Sequence, residues 1–162
     1  NRDAVNLAIS GDRTEHVLWR LENGNIDGIS PKLAVLMIGT NNHMSSPPEV
    51  TARDIRLIVK QLRTKLPQTK VLVLAIFPRG GGDDDGARQI NMRVNDLIAD
   101  IGDDKMVHYL NINEAFLNGR RLRQSLIPDG THPNEKGYAA WAEAMEATIS
   151  KLLGDNPVLD LE

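Results

Sequence analysis

The segment Ile127-Pro128-Asp129-Gly130-Thr131-His132-Pro133 leads into Asn134-Glu135-Lys136-Gly137-Tyr138 and carries side chains suited to acid–base work. An aspartate three residues before a histidine, across a tight turn, sets its carboxylate beside the imidazole. There it fixes the tautomer and stabilises the imidazolium once the ring accepts a proton. Pro128 and Pro133 stiffen both ends of the turn. The same residues also suit a plain structural turn, since Asp-Gly is a common turn pair and His132 stands near a helix N-terminus.

A second signal is Gly39-Thr40-Asn41-Asn42, after an apolar run from Leu33 to Ile38. An asparagine amide at a strand end can aim N–H at a developing oxyanion, worth a few kcal/mol, roughly, in known enzymes. Glycine and asparagine also make ordinary turns. A third is Gly11, where the missing Cβ lets a backbone N–H approach a ligand.

Such residues need a scaffold that gathers them. Val5 to Ile9 reads as a strand, followed by a turn at Ser10-Gly11-Asp12 and a helix capped by Asp12 or Thr14, with Val17, Leu18 and Leu21 on one face. Asn23-Gly24 stops that helix. Leu33 to Ile38 is a strand covered on both faces. Pro47-Pro48 opens a long helix with Val50, Ile55, Ile58 and Leu62 near a 3.6 period and Pro67 beyond its end. Val71 to Ile76 is the next buried strand, closed by Pro78. Further on come a helix from about Ala87, a strand at Val107 to Ile112 and a last helix from Asn134.

Strands alternating with helices predict a three-layer α/β/α sandwich around a parallel, flavodoxin-like sheet, with reacting groups at the carboxyl ends of the strands. Gly11, Asn41 and Phe77-Pro78-Arg79 then share one rim. At 162 residues the chain suits a single domain, residues 1–162.

Together these pieces resemble the SGNH hydrolases, also called the GDSL family, whose four sequence blocks are a nucleophile in Gly-Asp-Ser, an oxyanion Gly, an oxyanion Asn and Asp-x-x-His. The second to fourth blocks match Gly11, Gly39-Thr40-Asn41-Asn42 and Asp129-Gly130-Thr131-His132 in order. Ile9 to Leu21, Gly39 to His43 and Phe77-Pro78-Arg79-Gly80 resemble the platelet-activating-factor acetylhydrolase α-subunit branch in particular. The resemblance implies a serine ester hydrolase acting through an acyl-enzyme. His132 would be its general base, Asp129 would orient that base, and Gly11 and Asn41 would line the oxyanion hole. It implies no metal or organic cofactor and a short acyl group such as acetyl. The substrate is then a small ester, with acetylated carbohydrate and lipid-like esters both open, and the branch also forms dimers.

The chain departs from the family in one respect: it has no Gly-Asp-Ser block. In the family that block ends a strand lying between those at Val5 to Ile9 and Leu33 to Ile38, so the nucleophile is expected upstream of Asn1. Within the chain, Ser10 is the one serine at a strand-to-helix turn where a nucleophile elbow would sit. Ser45, Ser46 and Ser125 lie in loops. A rival from another class is a non-catalytic binding module on a degenerate SGNH fold.

Other residues and the bulk composition suggest less. His16, His43 and His108 read as packing or hydrogen-bonding residues, and Trp19 and Trp141 as core. Arg79 reads as a residue at the pocket mouth. Asp83-Asp84-Asp85 lacks the spacing of an EF-hand loop and reads as a solvated acidic loop. No Gly-rich phosphate loop follows a strand, which disfavours a nucleotide binder. A net charge of -3 gives no reason to expect nucleic acid as partner, and no apolar run approaches the ~20 residues of a membrane span. Absence of cysteine excludes thiol catalysis and disulfides.

Overall fold

The computed structural model describes residues 2–158. Helix α1 spans Thr14–Glu22, strand β1 Leu33–Leu36, and α2 Pro48–Lys65. They are followed by β2 at Lys70–Leu74, α3 at Gly86–Ile98 and β3 at Val107–Leu110. A short antiparallel hairpin of β4, Leu117–Asn118, and β5, Arg121–Leu122, precedes α4 at Glu135–Leu153. Strands β1, β2 and β3 lie side by side in that order, all parallel. This is the expected α/β/α sandwich, and the hairpin is an element that the sequence patterning did not announce.

Successive side chains of a strand point to opposite faces, and β2 shows why its run is apolar throughout. Val71 and Val73 face a core formed with Ile55, Ile58 and Leu62 of α2 and Val94 and Ile98 of α3, while Leu72 and Leu74 face Leu152 and Trp141 of α4. All four strand side chains are at most 1% exposed. Cutting either leucine to alanine would cost about 2–5 kcal/mol by the usual cavity penalty. The Pro48 start of α2 and the Asn134 cap of α4 fall where the sequence put them; Asn134 accepts from the Gly137 N–H at 3.0 Å.

Two expectations are corrected. Residues 5–9 form no strand: they run extended, with Val5 72%, Leu7 38% and Ile9 57% exposed. A strand exists only through a ladder partner, and among the described residues none lies beside this segment. The outer edge of β1 is likewise unpaired among the described residues, and Val35 on it is 45% exposed. Trp19 is not core: it stands 63% exposed on the outer face of α1, while Val17, Leu18 and Leu21 face inward.

The path of this segment is nonetheless defined at both ends. Arg2 donates to both carboxylate oxygens of Glu146 at 2.7 Å and to Asp155, beside the C-terminal end of α4. Lys70 Nζ donates to the Leu152 carbonyl at 2.7 Å, so that end of α4 lies at the foot of β2. Residues 2–12 therefore climb from the foot of the sheet to its carboxyl rim.

Candidate active site

Two asparagines of α3 extend β2 past its last regular residue. Asn95 accepts from the Ile76 N–H at 2.7 Å and donates to the Ile76 carbonyl at 2.8 Å, as a neighbouring strand would. Asn91 donates to the Phe77 carbonyl and to Thr40 Oγ1. These neutral pegs carry the chain through Phe77-Pro78-Arg79 to the rim.

The turn after β1 is anchored just as firmly. Gly39 has φ +119, and a Cβ there would stand 2.8 Å from Ile76 Cδ1, so glycine is required on both counts. Asn42, 1% exposed, accepts from the Thr14 N–H at 3.1 Å and donates to Thr14 Oγ1 at 3.0 Å. It thereby satisfies a free donor at the start of α1. The neighbouring Asn41 Nδ2 donates to the Asp12 carbonyl at 2.9 Å. One of its two N–H bonds is thus committed, fixing the amide plane; the second has no partner among the described residues. Gly11, one residue before that carbonyl, has φ +81 and an N–H without a partner among the described residues. The two residues expected to line an oxyanion hole are brought together.

The Asp129 turn holds its histidine as its spacing suggests. Asp129 Oδ1 accepts from the Thr131 N–H at 2.9 Å and the His132 N–H at 2.7 Å, while Oδ2 is 2.7 Å from His132 Nδ1. The His132 backbone N–H first, then its ring, then the Thr131 N–H hold the Asp129 carboxyl well below the usual aspartate range. An ionised carboxylate accepts only, so Nδ1 carries a proton, and in the neutral ring the lone pair then lies on Nε2. The ring is 77% exposed, open to an incoming substrate.

Arg79 links the turns. Its Nη1 donates to the Thr40 carbonyl at 3.1 Å and Thr40 Oγ1 at 3.3 Å, and its Nη2 donates to Thr131 Oγ1 at 3.3 Å. Beside it the Gly80 N–H donates to the Gly130 carbonyl at 2.9 Å. A side chain at Gly80 would collide with Asp85, 2.1 Å from where its Cβ would sit. The sequence offered little sign of these tie-points: Arg79 stood out by its place after a strand, and Asn91 and Asn95 look like ordinary helix residues. None of Ser10, Ser45, Ser46 or Ser125 hydrogen-bonds His132 among the described residues.

Other candidates take structural roles. His16 Nδ1 accepts from the Arg13 N–H at 3.1 Å, and His43 Nδ1 donates to the Thr40 carbonyl at 2.8 Å. The acidic loop is less solvated than expected: Asp85 caps α3 through the Arg88 N–H, and Asp83 pairs with the buried Arg88 at 3.2 Å. An open polar groove of about 1230 Å³ lies between this loop and residues 117–125. It is lined by none of Gly11, Asn41, Asp129 and His132, so it lies apart from the candidate site. Among the described residues no cluster suits a metal ion, and no helix is long and apolar enough to cross a membrane.

Residues 1–140 match the GDSL-like Lipase/Acylhydrolase family. Platelet-activating factor acetylhydrolase IB subunit alpha1 of Pongo abelii is 35% identical over 97% of this chain and 70% of its own length. The alpha2 subunit of Rattus norvegicus is 37% identical over 95% of this chain and 67% of its own. The alpha1 subunit of Bos taurus is covered over 65% of its length, so the chain spans about two thirds of these relatives. Among solved structures, a GDSL-like lipase from Bacteroides thetaiotaomicron superposes with a TM-score of 0.73 at 21% identity, covering 88% of this chain and 73% of that one. An acetylxylan esterase from Geobacillus stearothermophilus gives 0.72 at 18% identity, over 94% and 72%. At these identities the structures establish the fold.

Proposed function

From the premise that this chain belongs to the GDSL-like lipase/acylhydrolase family, we propose that it supplies the base and oxyanion hole of a serine ester hydrolase. The observation that carries the reading is the Asp129–His132 pair at 2.7 Å, with Nδ1 engaged and Nε2 open. A serine hydroxyl attacks the ester carbonyl and passes its proton to His132 Nε2. Charge developing on the carbonyl oxygen is met by the Gly11 N–H and the second N–H of Asn41. His132 then protonates the departing alcohol. Water, deprotonated by the same ring, releases the acid and restores the serine.

The nucleophile in this proposal is the serine of a Gly-Asp-Ser block on a strand encoded before Asn1, filling the place between residues 5–9 and β1. Two features support it: the outer edge of β1, unpaired among the described residues, and the extended, exposed path of Val5, Leu7 and Ile9. The acyl group proposed is short, acetyl above all, in keeping with relatives whose names specify acetylhydrolases. A homodimer is the proposed assembly, checked by light scattering of the purified protein.

The test is to express the complete gene product and expose it to p-nitrophenyl acetate and to a fluorophosphonate probe. The expected result is hydrolysis, covalent labelling of one serine in a Gly-Asp-Ser peptide, and loss of both on His132→Ala. A folded protein that neither turns over nor labels would instead be a binding module on the same scaffold.

A further inference from the structure

Resting on the hydrolase reading, we infer that Arg79 is a positioning residue which sets the distance between the oxyanion hole and the general base. Asn41 and His132 stand on separate turns far apart in the chain, one after β1 and the other before α4. Contacts made across the rim must set their relative placement, and Arg79 reaches both turns at once. Nη1 holds Thr40, the residue before Asn41, and Nη2 holds Thr131, the residue before His132. A guanidinium is planar with its donors in a fixed fork, so gripping both turns fixes their separation and not merely their proximity.

The surroundings fit this role better than an ion-pairing one. The acceptors of Arg79 are uncharged, namely the Thr40 carbonyl, Thr40 Oγ1 and Thr131 Oγ1, while His43 Nδ1, 3.4 Å from Nη1, directs its own proton to the Thr40 carbonyl. Among the described residues no carboxylate pairs with it. Thr40 Oγ1 also accepts from Asn91, so the arginine grips a hydroxyl already oriented by α3. The arginine's own backbone is held too, because the next residue, Gly80, donates its N–H to Gly130 within the His132 turn.

The complete gene product would be tested as Arg79→Ala, Arg79→Lys and Thr131→Val, singly and with the first and last combined. A misplacement near 1 Å costs on the order of 100-fold in rate. Arg79→Ala should therefore lower kcat about 10- to 100-fold while KM stays within about threefold. Arg79→Lys should fall between, since one ammonium can serve one turn but not span both. Thr131→Val should lower kcat less, and adding it to Arg79→Ala should lower kcat no further. Independently of turnover, the ring signals of His132 and the amide of Thr131 should shift in NMR spectra of Arg79→Ala without substrate.

A raised KM with kcat intact would overturn the inference and make Arg79 a substrate contact. Full additivity of the two substitutions, or unmoved His132 and Thr131 signals, would also overturn it. If the wild type shows no esterase activity, the hydrolase reading fails while the NMR comparison still decides the role of Arg79. If Arg79→Ala does not fold, Arg79→Lys and Thr131→Val carry the same comparison.

Discussion

Replacing Gly39 with alanine tests the turn that presents Asn41, and the structure sets the size of the effect. The residue holds φ +119, where an L side chain is strained by roughly 1–3 kcal/mol. The new Cβ would lie 2.8 Å from Ile76 Cδ1 and 3.0 Å from Thr51 Cγ2. Ile76 is 1% and Thr51 0% exposed, so neither can swing into solvent, and overpacking of this kind adds about 1–3 kcal/mol. A loss of about 3 kcal/mol lowers Tm by roughly 6–12 °C in a protein of this size. Gly11→Ala is the matched control. Gly11 also has positive φ, but nothing lies within 4 Å of its would-be Cβ, so strain acts alone, at about 1–2 kcal/mol. Urea denaturation of the three proteins measures both terms. The reasoning fails if Gly39→Ala costs less than about 1 kcal/mol, or no more than Gly11→Ala.

Asp129→Asn keeps an oxygen for the two backbone N–H groups but offers His132 Nδ1 a donor, which moves the ring proton to Nε2 and removes the base. A fall in kcat of about 10³–10⁴-fold is expected, with circular dichroism unchanged; turnover within tenfold of wild type would contradict the tautomer argument. Asp103 Oδ1 accepts from the backbone N–H groups of Val107, Lys105 and Met106, which lower its carboxyl to about 2. Because the folded value lies below the unfolded one of about 3.9, its stabilisation is full above pH 5 and fades as pH falls toward 2. Relative to Asp103→Asn, the wild type should thus lose its advantage between pH 4 and 2. A constant difference across that range would disprove the assignment.

Much of the fold was legible because burial on both sides of a parallel sheet demands unbroken apolar runs. Leu33 to Ile38 and Val71 to Ile76 announced β1 and β2, and Pro48 and Asn134 mark helix starts by local chemistry. The segment at Val5 to Ile9 shows the limit of that logic. Its composition is that of a strand, but a ladder bond is a property of two segments, and composition reports one. Trp19 failed for a related reason: a helix stripe three residues wide was filled by Val17, Leu18 and Leu21 against α2, leaving the indole outside. At the candidate site, Asp129 and His132 were readable since their interaction is local in sequence. The Arg79 bridge to Thr40 and Thr131 spans 39 and 52 residues and has no local signature.

The rim is aimed largely by hydrogen bonds that do not join opposite charges. Asn42 against Thr14, Asn91 against Thr40, Asn95 and Asn113 against Ile76, and the contacts of Arg79 with hydroxyl and carbonyl oxygens need no opposite charge. Added salt shortens the reach of Coulomb attraction, to about 3 Å at 1 M, and so loosens exposed pairs such as Arg56–Asp100. It has little purchase on an amide closed over a carbonyl. Brine should therefore soften the periphery of this protein well before it disturbs the alignment of its strand tips.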